Sequence, residues 1–224
     1  MYSKRKRAPC QMNLEAYGVK TSDSVIGIPL AYLEDKKILL PIINQYAHYL
    51  ETDSLVIAGS LFFKRYAVLT AAAALDYFGL QQKKVDWLGY ATFDSTQFLL
   101  FVRDEVKTEI AVCWEEQILS RHLFRLVEII SKECKINKNI LWENVAVRLN
   151  AVLKRNQTKY PLNHLEFVHS RITQFSPQWI ENMDNPIQKY CHLIVTERKT
   201  CCRYYQLDKK EEGMDYCLVC PLKK

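Results

Sequence analysis

Apolar positions fall into blocks of different period along this chain. From Pro41 to Leu50, the set Ile42, Ile43, Tyr46, Ala47 and Leu50 follows helical spacing, with Pro41 suited to a first helical position. Leu55 to Leu80 is apolar on most faces, which predicts one long or broken helix at the centre of the core, with Gly79 placed to end it in a left-handed residue. The Ala71–Ala74 run reads as a packing surface. The period then shortens. Trp87 to Thr92, Gln97 to Val102 and Thr108 to Val112 are rich in aromatic and β-branched residues, with Asp94-Ser95 and Asp104-Glu105 as turn material. They predict a small antiparallel meander over about 85–113. Helical spacing returns in Glu115–Ile130 through Leu119, Leu123, Leu126 and Ile130, and in Ile140–Leu153 through Leu141, Val145, Leu149 and Val152. Pro161, Pro177 and Asn185-Pro186 restrict helices between 162 and 190 to short ones, and His192 to Thr196 reads as extended.

The expected class is α+β. A mainly helical body over 14–190 carries the small sheet, residues 1–13 form a disordered basic tail, and 191–224 form a cysteine-rich C-terminal segment. With 224 residues, 49% apolar and 25% charged, the chain has the composition of a soluble domain with a true core. The formal charge is +6, and Lys4-Arg5-Lys6-Arg7 supplies four of those charges, so the rest is close to balanced. That pattern reads as a solubilising tail and not as a nucleic-acid footprint, and at most as peripheral membrane association. No apolar run follows the basic residues, as a secretory signal would require. Lys64-Arg65 divides the most hydrophobic region into halves too short for a bilayer. A cytoplasmic location is expected.

Several chemistries lack their residues. The six glycines, at 18, 27, 59, 79, 89 and 213, are all far apart. Neither a G-x-G-x-x-G dinucleotide turn nor a P-loop can be built from them. His48, His122, His164, His169 and His192 form no zinc-protease pattern. His164 and His169 would stand about 140° apart on a helix, so each histidine reads as a surface or capped core residue. There is no G-x-S-x-G elbow, and Glu115-Glu116 reads as the acidic first turn of a helix.

The cysteines are unevenly spread. Cys10, Cys113, Cys134 and Cys191 are single and read as inert thiols. Cys201, Cys202, Cys217 and Cys220 crowd the last 24 residues as C-C-x14-C-x2-C. In a reducing compartment such a group reads as a metal site. Cys217 and Cys220 suit a zinc knuckle. Adjacent cysteines have Cα atoms about 3.8 Å apart and diverging side chains, so Cys201 and Cys202 close poorly on one small ion and more easily on a two-iron cluster. Spacing alone leaves zinc and iron both open.

The run Arg198-Lys199-Thr200-Cys201-Cys202-Arg203-Tyr204-Tyr205, a spacer, and Cys217-Leu218-Val219-Cys220-Pro221-Leu222 resembles the C-terminal signature of FhuF-type ferric siderophore reductases. The resemblance covers about 25 residues, and Trp142-Glu143-Asn144-Val145-Ala146 in the helical body is similar in kind. It implies that Cys201, Cys202, Cys217 and Cys220 ligate one [2Fe–2S] cluster. It also implies an enzyme, a reductase that takes Fe³⁺ of a hydroxamate or citrate-type chelate to Fe²⁺ by one electron and frees the metal in the cytoplasm. This chain departs from the pattern by a longer spacer, with Asp208 to Gly213 as the extra loop. Hard oxygen ligands hold Fe³⁺ far better than Fe²⁺, so such a step releases iron. Without nucleotide motifs, an external donor of ferredoxin type is expected. Arg198, Lys199, Arg203, Lys223 and Lys224 would concentrate anionic chelates, with Arg198, Lys199, Arg203, Tyr204 and Tyr205 as candidate substrate contacts. The alternatives are a non-enzymatic zinc-binding interaction module and an iron–sulfur redox sensor.

Overall fold

The computed structural model describes residues 14–22, 24, 26–83, 86–103, 112–174, 184–194 and 197–223. The basic tail, Cys10 and nearly all of the expected strand Thr108–Val112 lie outside them. Asp35 opens the first helix, α1 (Lys36–Tyr49), by accepting the Lys37 N–H at 2.8 Å. This cap starts the helix upstream of Pro41, which therefore lies inside it and not at its first position. Four buried residues, Leu39, Ile42, Ile43 and Ala47, make the apolar stripe.

Ser54 caps α2, whose regular part is Leu55–Ala67. The helix continues through π-helical turns at Val68–Ala72 and Leu75–Gly79, giving one element from Leu55 to Gly79. Lys64-Arg65 does not break it. By length and apolarity it could cross a membrane, but 72% of its apolar window is buried inside the protein. It is the core helix, packed between α1 and α5 (Lys138–Arg155). Gly79 is not a left-handed terminator: the positive-φ glycines are 18, 27 and 213. A Cβ on Gly79 would stand 2.7 Å from Trp114 Nε1, so glycine is present here for close approach.

The sheet has four strands in the order β1–β4–β3–β2: β1 (Val19–Thr21), β2 (Ile28–Pro29), β3 (Ala91–Asp94) and β4 (Leu99–Val102). β3 and β4 form the expected hairpin, pairing Ala91 with Val102 and Asp94 with Leu99. Asp94 turns it by accepting the Thr96 and Gln97 N–H groups at 2.8 and 3.1 Å. The sheet is mixed and not antiparallel, because β1 runs parallel to β4. Trp87–Tyr90, expected as strand, is a short helix, α3, capped by Asp86. Phe93 and Phe98 pack edge-on against Phe62 of α2, joining the sheet to the core.

A π-helical stretch, Glu115–Leu123, leads into α4 (Phe124–Glu133), and α6 (Leu162–Thr173) follows α5. Three of the five histidines are held in the fold by hydrogen bonds. His164 and His169 bond the carbonyls of Leu80 and Cys191. His122 is fully buried between Tyr66 Oη (2.7 Å) and Glu34 Oε1 (3.1 Å). The class is α+β, with a helical body and a small sheet.

Candidate metal centre

The cysteine segment has little regular structure and is seated on α2 and α5 by a few strong contacts. Glu143 of α5, only 3% exposed, accepts the backbone N–H groups of Lys199 (to Oε1) and Thr200 (to Oε2), both at 2.6 Å, and the Thr200 hydroxyl. Arg198 stands 3.6 Å from the same carboxylate, buried, and also donates to the carbonyls of Thr200 and Ile140. A buried charge is tolerated only when paired and hydrogen-bonded, and this pair meets that condition. One residue along α5, Asn144 donates to the Ser60 carbonyl of α2 at 3.1 Å, and the Ser60 hydroxyl donates to the Cys202 carbonyl at 3.0 Å. A small apolar cluster of Ile57, Leu61, Cys202, Leu207 and Cys217, separate from the main core, completes the seat.

Two sulfurs meet directly. Cys202 Sγ and Cys217 Sγ lie 3.4 Å apart, and Lys64 Nζ of α2 stands 3.3 Å from Cys202 Sγ. The two sulfurs share one hydrogen bond, and that bond, with Lys64, Arg198 and the Tyr204 N–H, lowers the proton affinity of Cys202 against the opposing effect of burial. Cys217 moves the opposite way, because it keeps the proton it shares with Cys202 and because it is buried. Arg203 adopts a left-handed backbone, φ 65°, which aims its N–H at Cys201 Sγ, 3.3 Å away. Cys201 feels the charges of both Cys202 and Cys220, while burial raises its proton affinity. Cys220 N–H closes the second cysteine turn on the Cys217 carbonyl at 3.0 Å.

All four cysteines therefore share one neighbourhood. Among the described residues, however, no group of three or more histidine, cysteine or acidic side chains is gathered tightly enough to hold a metal. The assembled part is the Cys202–Cys217 edge. Its length compares with roughly 3.8 Å between two thiolates on one tetrahedral ion at 2.3 Å. In donor chemistry the segment fits a thiolate-ligated group. Four soft sulfurs are available, N–H groups point at two of them, and Lys64, Arg148 and Arg198 bring positive charge to Cys202 or Cys217. Arg148 Nε is buried without a partner among the described residues.

The substrate contacts expected from sequence divide. Arg198 is buried and anchors the segment. Lys199 is exposed, and its backbone is held by Glu143. Arg203 bonds Gln206 at 3.1 Å, and Tyr205 stacks on Tyr216 at the surface. Tyr204 alone of these lines the clefts beside the sulfurs, with Lys64 Nζ 5.7 Å from its ring centre. Arg148 and Ser60 carry no signal in the sequence, and Glu143 enters there only within the run Trp142–Ala146 and with no role at the cysteines. The one visible signal was Lys64-Arg65, two cations inside an otherwise apolar helix. The single cysteines stay apart. Cys134 and Cys191 are buried thiols whose proton affinity burial pushes up to about 11 and about 12, and Cys113 is half-buried beside Glu115.

No protein-family model matches the chain, and no curated protein matches it. The family resemblance thus rests on the cysteine motif and its flanking residues.

Proposed function

We propose that Cys201, Cys202, Cys217 and Cys220 hold a [2Fe–2S] cluster and that the protein is a one-electron reductase of ferric chelates, siderophore or citrate type, acting in the cytoplasm with an external, ferredoxin-like donor. The observation that carries this reading is the direct meeting of Cys202 with Cys217 beneath Lys64, where Lys64 lines one open cleft and Cys217 the one adjoining it. When bound, the cluster would supply single-electron chemistry, which matches the Fe³⁺/Fe²⁺ couple of the substrate and which no side chain of the chain supplies. The chain's own residues set the conditions. Glu143 and Arg198 fix the residues leading into Cys201, and Ser60 fixes the carbonyl of Cys202. N–H···S bonds and nearby cations favour electron-rich sulfur and raise the reduction potential of a thiolate-bound centre. Tyr204 and Lys64 stand between the sulfurs and the cleft, where a chelate would exchange its electron.

Anaerobically purified protein tests the reading. A red-brown sample with about two iron and two acid-labile sulfide per chain, which releases Fe²⁺ from a ferric chelate once reduced, is the expected result. A colourless protein with about one zinc per chain would replace it with a structural zinc module. A coloured protein inert towards every ferric chelate would leave a redox sensor.

A further inference from the structure

Beside the sulfurs lies an open cleft of about 730 Å³, the size of a small-molecule site. Its charge is one-sided. Lys64 and Arg65 from α2, Arg148 from α5, and Lys209 and Lys210 from the spacer all line it, against a single acid among the described residues, Glu211. Lys209 is offset by Glu51 outside the cleft. Arg148 carries a buried Nε without an acceptor among the described residues. Lys209 and Lys210 belong to the stretch by which this spacer is longer than the family pattern, so the departure in spacing supplies one wall of the cleft.

The cleft also has aromatic faces. Tyr46 and Tyr49 stack with ring centres 5.7 Å apart and planes 23° from parallel, and Tyr204 faces the same space. Tyr49 is 69% exposed, so its ring is not used by the core. Cations interleaved with rings, Tyr49 exposed and Tyr46 and Tyr204 half-buried, bind a ligand that is itself both anionic and aromatic, through charge and through stacking or cation–π contact. We infer that this cleft binds multiply anionic aryl chelates, catecholate-type metal complexes above all, in preference to the neutral hydroxamate complexes. A tris-catecholate of a trivalent metal keeps three negative charges and presents three rings, while a tris-hydroxamate is neutral and has none. Single-stranded nucleic acid has the same two properties, but a cleft of about 730 Å³ is sized for one small molecule and not for an extended strand. This inference rests on the proposed reductase reading only for the role of the bound chelate.

The test uses gallium(III) in place of iron, so binding is read without electron transfer. The full chain, purified with its native metal content, is titrated with the gallium complexes of a tripodal tris-catecholate, a tripodal tris-hydroxamate and citrate, following tyrosine and tryptophan fluorescence. The tris-catecholate should bind about tenfold or more tighter than the other two, and less tightly at high salt. Arg65→Gln and Lys210→Gln, both away from the sulfurs, should each weaken it several-fold. Equal affinities for the three complexes, indifference to both variants, or displacement by a single-stranded oligonucleotide would overturn the assignment. Reduction of ferric hydroxamates by a coloured protein that ignores the gallium catecholate would sink this inference and spare the reductase. Tight gallium binding by a colourless zinc protein would do the reverse.

Discussion

Glu143 Oε2 lies 2.6 Å from the backbone nitrogen of Thr200, fifty-seven residues later in the chain. With the parallel bond to Lys199, it turns one buried carboxylate into the anchor for the strand of chain that delivers Cys201 and Cys202. Glu143→Gln keeps the shape but loses the charge that balances Arg198. Charged hydrogen bonds contribute about 1.5–3 kcal/mol each, and an unpaired buried charge costs more. Metal content measured after gel filtration should fall well below wild type while far-ultraviolet circular dichroism stays helical. Unchanged loading would show that the anchor is irrelevant to the centre.

Cys202→Ser should abolish the metal-dependent absorption, because Cys202 is the sulfur that meets Cys217, Lys64 and the Tyr204 N–H. The helical body should remain folded, since the main apolar core does not include this residue. Cys134→Ala should leave the absorption intact. It leaves a small gap against Gly59 and costs about 1 kcal/mol in a urea titration. A coloured, active Cys202→Ser protein would remove Cys202 from the ligand set.

Gly79→Ala gains helix propensity of about 1 kcal/mol. The added Cβ meets Trp114 Nε1 at 2.7 Å and Leu75 Cδ1 at 2.9 Å, and overpacking typically costs 1–3 kcal/mol. The clash should win because the tryptophan is wedged in the core. A lowered urea midpoint with an unchanged m-value is expected.

His122 gives the fold a pH dependence. Burial lowers its proton affinity below the usual 6.5, and the contact with Glu34 only partly opposes this. As pH falls through about 6.5, the unfolded chain takes up a proton that the folded chain resists, so stability is full above that pH and declines below it. The limit for one proton is about 1.4 kcal/mol per pH unit. Comparing His122→Gln with wild type, both in the Cys202→Ser background, the urea midpoint of the variant should vary less between pH 7 and 5. Equal slopes would assign the acid sensitivity elsewhere.

The long helices were legible because their apolar residues repeat at helical spacing over many turns. α5 carries a strong period, α2 shows instead as a long run apolar on most faces, and the β3–β4 hairpin shows its turn in Asp94. β1 and β2 were not legible. They are three and two residues long, and their pairing with β4 and β3 is set by tertiary packing and by no local period. Trp87, Leu88 and Tyr90 suit strand and helix alike, and the Asp86 cap decides for the short helix α3. At the site, the cysteines announce themselves by spacing. Glu143 and Arg148 look like ordinary polar residues on a helix until α5 is laid against the C-terminal segment. Lys64 was readable as an interruption, but its purpose needed the third dimension.

The apolar patch of Ile57 and Leu61 that receives the cysteine segment is small and separate from the main core. The last stretch of the chain is therefore held like a clasp, by this patch, by a few polar ties such as those of Glu143 and Ser60, and by whatever joins its sulfurs. On the proposed reading, removing the cluster should release that clasp while the helices stay assembled, so a protease added to chelator-treated protein should trim the C-terminus and leave a stable, shortened fragment.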